Sequence, residues 1–556
     1  MYINIKVLAF FGFILNAFCY SMDVIEDVDI VECYMDPSQS QLNSKEKEYV
    51  SRRKQITQTA IKQFIGLPPA SGYRLPKINM SFSGGSVRAQ IATIAVLDAA
   101  EEIGLLPSTT YMAALSGSTW ALAPWILHRM SPKDYSKVLK HQLQSDFWGG
   151  SGKRDLTSTS TTATLKNVKL TSEEQAKFLR KSEPNDTQKR GLISAKAILE
   201  KIKLIIKSQE SSELSITQIW GQLIARRLLY DLDISSGRII TFGDIRNILE
   251  QTVAYPFPIF TAAIAETEPE YEGLEVTPFS VYSNALGAEI NTEDFGSTFL
   301  NGICKKRTAE KPLSLYLGIF GSAFAISGAD AVEHVLLGIC DTLEIEDSYL
   351  QVVQPKLEAC LAKIKELNQR TFDVEFPNFT YGMSSRGLGS KEAIHLIDHG
   401  IFINIPIFPY NRPERKTDIL VICDASSDAV DNDYTELKRA QIYARAHGMA
   451  FPSLRRFKEI NKNLKIFYED NPEVPIVIYI ANLTQISMLE LSYTEAEFDS
   501  VYEPMYEALY ERENRNAIME AVKFKTSQLN NNHIPNNFMA LRDGRVKNTS
   551  CNCCLL

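Results

Sequence analysis

Basic residues are not in excess in this sequence, and the absence of an excess argues against one broad class of function. The 556-residue chain carries 59 lysines and arginines against 67 aspartates and glutamates, which gives a formal net charge of −8 at pH 7. Because binding to a phosphate backbone usually requires a basic face, we expect no nucleic-acid partner. The 45% share of hydrophobic residues is instead typical of a globular chain with a large core.

Cysteine is also scarce and irregularly spaced. Nine cysteines in a chain of this length do not indicate a disulfide framework, and outside the last six residues no CxxC pair or His/Cys cluster indicates a zinc site. The sequence therefore predicts no metal and no cofactor. Three of the nine, Cys551, Cys553 and Cys554, crowd into the extreme C-terminus, where a packed core cannot use them.

The N-terminal apolar run is too short to cross a bilayer. A spanning helix takes roughly 20 apolar residues, whereas this run covers residues 7–18. With Lys6 before it and Ser21 behind it, the segment 1–21 resembles a secretory signal peptide, and an apolar helix packed on the domain is the alternative. Charged residues follow, so we expect a solvated leader over 22–49 and a folded domain over 50–510.

Periodicity in the first part of the domain predicts alternating strands and helices. Strand patterns occur at 77–83 and 111–115, and helical spacing occurs at 87–106 and 120–128. This order favours a parallel sheet with right-handed crossovers, and therefore an α/β fold. Residues 149–214 are rich in Gly, Ser, Thr and charge, which is typical of a mobile insertion, and residues 511–556 are expected to form a helix and a polar tail.

Ser116 is the candidate nucleophile. It directly follows the apolar strand pattern and lies in the tract Leu115-Ser116-Gly117-Ser118, just before a predicted helix. A serine on a sharp strand-to-helix turn holds its hydroxyl exposed, and small neighbours are needed because the backbone is crowded. Alone, such a tract also fits an ordinary turn, so the assignment needs support from elsewhere in the chain.

The tract Ser83-Gly84-Gly85-Ser86, at the end of the first predicted strand, is a candidate oxyanion site. Successive backbone N–H groups at a helix N-terminus bind anions, and glycines let a substrate carbonyl approach the backbone. Arg88 would lie in the first helical turn, where a guanidinium binds phosphate or stabilises developing charge. The alternative is a glycine turn with a solvated arginine.

Asp424 is the candidate base, because it ends a continuous apolar run at 418–424 that is typical of a strand covered on both faces. Active sites of parallel sheets gather at that end of the strands. The alternative is a helix cap, since serines follow at Ser426 and Ser427. None of the seven histidines lies in a triad-like motif, so a Ser/Asp pair is the simpler prediction.

As a set, these segments resemble one family. The tracts SGGSVRA and LSGSTW, about thirty residues apart, are similar to the glycine-rich loop and nucleophile elbow of the cytosolic (group IV) phospholipases A2. The likeness continues in the family's order over about residues 50–500, through YPFPIFTA, FGSTFLNG, LYLGIFGSAFAIS, DHGIFINIPIFP and RPERKTDILVICDAS.

The resemblance implies a lipase/patatin-like three-layer α/β domain with a central, mostly parallel sheet. It implies Ser116 as nucleophile, Asp424 as its base, Gly84 and Gly85 as oxyanion donors, and Arg88 as the phosphate-facing group. The implied activity is a phospholipase A2 or lysophospholipase that works through an acyl-enzyme, with acyl transfer as a side activity. The sequence departs from the family at Ala114 and Ser86, where glycines are usual, which leaves an inactive membrane-bound scaffold as the alternative.

The expected partner is a phospholipid membrane. Too little sequence precedes the first strand for a calcium-binding C2 domain, so calcium-independent binding is implied, as in the gamma-type member of the family. The ending Cys553-Cys554-Leu555-Leu556 fits a CaaX box for a prenyltransferase, with basic residues upstream. We therefore expect a lipid anchor at Cys553 on the cytosolic face of a membrane.

Prenylation in the cytosol conflicts with a cleaved export signal at 1–21. Either that segment is not an export signal, or a microbe exports the protein into a host cytosol.

Overall fold

A large mixed sheet forms the centre of the fold. The computed structural model describes residues 42–144, 216–229, 232, 238–323, 373–383, 387–427, 429, 434–487, 490–531 and 534–541. In chain order its strands are β1 (Ile78–Phe82), β2 (Thr109–Leu115), β3 (Phe257–Ile264), β4 (Gly273–Val276), β5 (Ser280–Ser283), β6 (Ala288–Asn291), β7 (Thr298–Leu300), β8 (Ile303–Lys306), β9 (Val374–Pro377), β10 (Ala393–Ile397), β11 (Ile419–Asp424), β12 (Phe457–Glu459), β13 (Leu464–Phe467) and β14 (Ile476–Ala481).

Five of these strands run parallel in the middle of the sheet, in the order β14-β11-β1-β2-β3. Every residue of the five is buried. Antiparallel strands extend the sheet on both sides, with β12-β13 beyond β14 and β4-β5-β6 beyond β3, while β10 pairs with β3 and β9. Burial on both faces explains the continuous apolar runs, and the predicted parallel α/β core is confirmed.

The helices of the described residues fill the connections. They are α1 (Ser44–Ile65), α2 (Ser86–Glu102), α3 (Leu105–Ser108), α4 (Thr119–His128), α5 (Pro132–Gln144), α6 (Ile216–Leu228), α7 (Phe242–Gln251), α8 (Leu313–Phe320), α9 (Thr435–Ala446), α10 (Glu495–Tyr510) and α11 (Arg512–Leu529). The central one is α2, which follows β1 and packs against α4, α5 and α10. Its first fourteen residues after Ser86 are buried, so this helix is enclosed by the fold.

Helix α1 differs from the solvated leader that the charge pattern predicted. It begins at Ser44, inside the predicted leader, and buries Tyr49 and Arg53. The Arg53 guanidinium donates to the carbonyl oxygens of Thr109 (2.9 Å) and Val253 (2.6 Å), which lie at the amino ends of β2 and β3. From Ser44 onward the structure differs from the predicted leader, because α1 buries charged side chains whose partners the sequence alone does not reveal.

A buried ion-pair cluster attaches the first turn of α1 in a similar way. Glu46 receives two hydrogen bonds of 2.7 Å from Arg415, which also pairs with Glu275 on β4. All three side chains are almost completely buried.

Three predicted segments lie outside the described residues: the N-terminal segment 1–21, the insertion 149–214 and the C-terminal CaaX box. Among the described helices, none is both long enough and apolar enough to cross a membrane.

Candidate active site

Ser116 occupies a strained turn at the carboxyl end of β2. Its φ is 53°, in the left-handed region that is rare for residues other than glycine. A single turn of 3₁₀ helix, Ser116–Ser118, follows and leads directly into α4. The Thr119 hydroxyl donates to the Ser116 carbonyl oxygen at 2.6 Å and fixes this turn. The predicted strand-turn-helix context of a nucleophile elbow is therefore present.

Glycines let the loop after β1 lie directly against this elbow. A Cβ built on Gly84 would lie 2.9 Å from the Cβ of Ser116. One built on Gly117 would overlap the backbone of Ser86. The two segments that the sequence suggested as functional are therefore in contact.

The N–H groups best placed to bind an oxyanion differ in part from the predicted pair, Gly84 and Gly85. The Gly84 N–H already donates to Asn404, to its backbone oxygen at 3.2 Å and to its Oδ1 at 3.1 Å. In the described part of the chain, the N–H groups of Gly85 and Ser86 donate to no acceptor, as expected at the start of a helix. Gly85 and Ser86 are therefore better placed to stabilise an oxyanion than Gly84.

Backbone conformation explains how Ser86 substitutes for glycine. Its φ is 57°, so the chain adopts the left-handed conformation although a side chain is present. The neighbouring Gly85 has a φ of 141°, and a Cβ there would collide with the carbonyl oxygen of Ala425.

Asp398 is the carboxylate that meets Ser116. It follows β10, its side chain is fully buried, and the Ser116 hydroxyl is among the neighbouring groups that lower the pKa of its carboxyl. Burial has the larger effect and raises the pKa of Asp398 to about 7. Its Oδ1 accepts the Gly400 N–H at 2.8 Å, whereas Oδ2 accepts no well-directed hydrogen bond from the described residues. That oxygen is available to accept a proton.

Asp424 has other partners, which argues against the predicted role as base. Its Oδ1 accepts the Ser426 N–H at 2.9 Å and also the Ser426 hydroxyl, while its Oδ2 accepts the Tyr479 hydroxyl at 2.7 Å. Strand β1 lies between β11 and β2, so the backbone at Asp424 is about two strand spacings, roughly 10 Å, from that at Ser116. Asp398 is therefore the better candidate for the base of Ser116, and the assignment of Asp424 stays a prediction.

Through Ser426, Asp424 supports the glycine loop. The Asn404 side-chain amide donates to the Ser426 hydroxyl oxygen at 2.8 Å, and its Oδ1 accepts the Gly84 N–H. Asn404 in turn is fixed through its N–H, which donates to Glu436 at 3.0 Å. Asp424 therefore belongs to a positioning chain.

Arg88 is buried and its guanidinium binds backbone oxygens. It donates to the carbonyl of Ala425 at 3.1 and 2.9 Å and to that of Ile486 at 2.7 Å. Three of its five N–H groups are thus committed to the loops that follow β11 and β14. The predicted phosphate-facing role stays a prediction. In the structure Arg88 acts as a clamp, that is, its guanidinium joins the loops after β11 and β14.

The sequence also contains a signal for Asp398. The run Ala393–Ile397 is a short strand followed directly by Asp398, much as β11 ends at Asp424. Asp398 is also the first residue of the tract DHGIFINIPIFP. Because β10 pairs with β3, the neighbour of β2, its end lies near Ser116. Strand order decides between the two aspartates.

Comparison with known proteins identifies the family to which this chain belongs. A family described as "Lysophospholipase catalytic domain" matches residues 196–529, more than half of the chain, a range that includes Asp398 and Asp424. Among curated proteins, cytosolic phospholipase A2 gamma of Mus musculus is 27% identical over 257 residues, which cover 45% of this chain and 34% of that protein. Cytosolic phospholipase A2 zeta of Homo sapiens is 24% identical over 490 residues, 79% of this chain and 52% of that protein.

A solved structure supports the fold. The human GIVD cytosolic phospholipase A2 superposes with a TM-score of 0.61 at 18% identity, covering 90% of this chain and 67% of that chain. The predicted lipase/patatin-like α/β fold and the resemblance to the cytosolic phospholipases A2 are thereby confirmed. The chain spans about a third to a half of the length of the two curated relatives.

Proposed function

Because this chain belongs to the family of lysophospholipase catalytic domains, we propose that it hydrolyses acyl esters of glycerophospholipids and lysophospholipids through Ser116 and Asp398. One observation carries the proposal. A serine in a strained elbow faces a buried carboxyl with a free oxygen, beside two uncommitted backbone N–H groups. These are the nucleophile, base and oxyanion donors that acyl transfer needs.

In the first step, the ionised Asp398 accepts the proton of the Ser116 hydroxyl through its Oδ2. The serine oxygen attacks the ester carbonyl, and the N–H groups of Gly85 and Ser86 bind the oxygen that becomes negative. As the intermediate collapses, the protonated Asp398 gives its proton to the departing alcohol. This leaves an acyl-Ser116 ester and a lysophospholipid, or a glycerophosphodiester when the substrate carries one chain.

In the second step, water replaces the departed alcohol and Asp398 accepts one of its protons. The attack releases a free fatty acid and restores the Ser116 hydroxyl. If a lipid alcohol enters in place of water, the same intermediate gives acyl transfer, so that side activity belongs to the proposal.

Membrane attachment is a separate part of the proposal. A prenyl group on Cys553, with basic Arg542, Arg545 and Lys547 before it, would hold the chain on the cytosolic face of an anionic membrane. In eukaryotic cells we expect a mass increase of one prenyl group, absent in Cys553→Ser. An unmodified C-terminus in the wild-type protein would exclude the anchor.

The central test is fatty-acid release from phospholipid vesicles and from lysophospholipid, with a calcium chelator present. We expect the wild type to be active without calcium and Ser116→Ala to lose at least about a thousandfold. Ser108, whose hydroxyl donates to Gly104 at the opposite end of β2, provides the matched control Ser108→Ala, which should keep its activity.

Two results would overturn the proposal. An inactive wild type that is folded would favour the scaffold, and equal activity of Ser116→Ala would move the chemistry to another residue. Activity that disappears with the chelator would remove calcium independence alone.

A further inference from the structure

Strands β7 and β8 form a hairpin that is separate from the large sheet. The two turn residues, Asn301 and Gly302, have φ values of 54° and 80°. Positive φ at both positions is typical of the tight turn that best matches the twist of paired strands. The hairpin therefore ends in a compact, well-defined tip.

Contacts at its base and tip hold the hairpin in place. Phe299 is 1% exposed and anchors β7 in the core. At the tip, the Asn301 N–H donates to the Tyr381 carbonyl at 2.8 Å, and at the base Arg307 pairs with Asp294 at 2.8 Å. A two-stranded hairpin alone is marginally stable in water, so these anchors make it a fixed projection.

The outer face of the tip is apolar. Leu300 and Ile303 are direct cross-strand partners, and they are 38% and 58% exposed. Two large aliphatic side chains thus lie side by side in solvent, next to the turn.

Two basic residues follow this apolar pair along β8. Lys305 and Lys306 are exposed, and neither has a carboxylate partner within ion-pair distance among the described residues. The chain as a whole carries a net charge of −8, so the unpaired lysines stand out locally.

Strand pairing places the hairpin on the side of the sheet that carries Ser116. The last residue of β3, Ile264, pairs with Leu396, and Ala393 lies three residues further along β10, or roughly 10 Å beyond the end of β3. Ala393 pairs with Pro377, and the chain then continues to Tyr381, which binds the hairpin tip. The tip therefore projects beyond the carboxyl edge of the parallel strands.

We infer that the β7–β8 hairpin docks the protein on an anionic phospholipid surface, with Leu300 and Ile303 in the interface and Lys305 and Lys306 on lipid phosphates. An apolar tip followed by free basic groups matches the polarity change across the edge of a bilayer. The inference rests on the proposed function, because docking on this side turns the catalytic edge toward the lipid that it would hydrolyse.

Binding is measured with full-length protein carrying Ser116→Ala and Cys553→Ser, so that neither hydrolysis nor a lipid anchor contributes. Vesicles of phosphatidylcholine with about one-fifth phosphatidylserine are compared with pure phosphatidylcholine. In this background we expect Lys305→Glu/Lys306→Glu to weaken binding to the anionic vesicles by about tenfold or more. Leu300→Thr/Ile303→Thr, which keeps strand propensity, should weaken binding to both vesicle types.

Helix α1 supplies matched controls. Ile56 is 38% exposed, as Leu300 is, and it lies next to Arg53, which binds the amino ends of the strands. Ile56→Thr and the exposed Lys54→Glu should leave vesicle binding unchanged. If the controls weaken binding as much as the hairpin variants do, or if the hairpin variants bind like their parent, the docking surface is not here.

Two further measurements distinguish lipid docking from the proposed catalytic function and from dimerisation. A water-soluble monomeric ester tests the catalytic form: the hairpin variants should hydrolyse it at the wild-type rate, and failure of the wild type on it overturns the proposed function and not the docking. Sedimentation tests a second copy as the occupant. A dimer that the hairpin variants dissociate, with vesicle binding unchanged, would overturn lipid docking.

Discussion

Gly84 and Ser116 meet across two neighbouring parallel strands, so closely that a Cβ on Gly84 would come within 2.9 Å of the serine Cβ. This contact brings the free N–H groups at the start of α2 beside Ser116. It leaves no space for any side chain at position 84, although the Gly84 N–H itself serves Asn404.

Gly84→Ala should therefore lower the rate of hydrolysis strongly, although it adds only one methyl group. The added methyl group would push against Ser116 and Asn404, and a displacement of about 1 Å at a catalytic group costs about a hundredfold in rate. Gly72→Ala is the control, since a Cβ there meets nothing within 4 Å. Hydrolysis of a soluble ester measures both, and a fully active Gly84→Ala would mean that the elbow and loop move freely.

The two aspartates should respond differently to replacement. Asp398→Asn removes the base, so we expect a loss of about a thousandfold or more in kcat and little further loss when it is combined with Ser116→Ala. Asp424→Asn perturbs the Ser426 and Asn404 contacts and should cost about tenfold, with a lower melting temperature. The reverse order of effects would restore Asp424 as the base.

The strand-turn-helix context of Ser116 was predictable because its signal is local. A strand pattern, a serine between small residues and a following helix are consecutive in the chain, and the structure has them as β2, Ser116 and α4. The parallel core was predictable for the same reason, since strands buried on both faces are continuous apolar runs.

The proposed partner of Ser116, Asp398, was not predictable in this way. Asp398 and Asp424 both end apolar strands, and only the strand order shows that β1 separates β11 from β2. Helix α1 illustrates the same limit, because Glu46 and Arg53 look solvated until Arg415 and the strand carbonyls are known as their partners. Long-range pairing decides both cases.

Activity should depend on pH through Asp398. Burial raises its pKa to about 7, and only the ionised carboxylate can accept the serine proton. We therefore expect kcat/KM for a soluble ester to be low near pH 5, to rise through about 7 and to level off above 8. A midpoint near 4, the value of a solvated carboxylate, would argue against a buried base.

Asp398→Asn should also stabilise the protein at high pH. The pKa of Asp398 in the folded protein lies above the ordinary 3.8. Its contribution to the free energy of unfolding is therefore fully favourable below pH 3.8 and is lost as the pH rises through about 7. At about 1.4 kcal/mol per pKa unit, keeping the ionised group buried costs up to about 4 kcal/mol. Urea unfolding at pH 8.5 should therefore give a higher free energy for Asp398→Asn, and no gain would contradict the raised pKa.

His399 should make the fold sensitive to acid. The ring is fully buried beside Phe408, with centroids 4.7 Å apart, and neither ring nitrogen has a hydrogen-bond partner among the described residues. Burial lowers its pKa to about 4, whereas the unfolded chain takes up the proton near 6.5. Stability is therefore retained above about 6.5 and falls by up to about 3 kcal/mol as the pH drops toward 4.

The free energy of unfolding of His399→Phe should decrease less than that of the wild type between pH 6.5 and 4.5. His395→Gln is a control that should respond in the opposite direction. The hydrogen bond to Glu266 raises the pKa of His395, so protonated His395 stabilises the folded protein at low pH. Identical pH dependence of wild type and His399→Phe would show that His399 is solvated.

The variant Arg88→Lys distinguishes two roles for the Arg88 guanidinium. It either binds the substrate phosphate or holds the loops after β11 and β14 in place. If it binds the substrate phosphate, Arg88→Lys should weaken activity on phospholipids and spare a soluble ester that has no phosphate. The three hydrogen bonds to Ala425 and Ile486 favour a clamp, because lysine cannot reproduce the planar pair of bonds to one carbonyl. We therefore expect Arg88→Lys to lower both activities by a similar factor, about tenfold, together with the melting temperature. A selective loss of activity on phospholipids at an unchanged melting temperature would instead indicate that Arg88 binds the substrate phosphate. It would do so through the two N–H groups that donate to neither Ala425 nor Ile486.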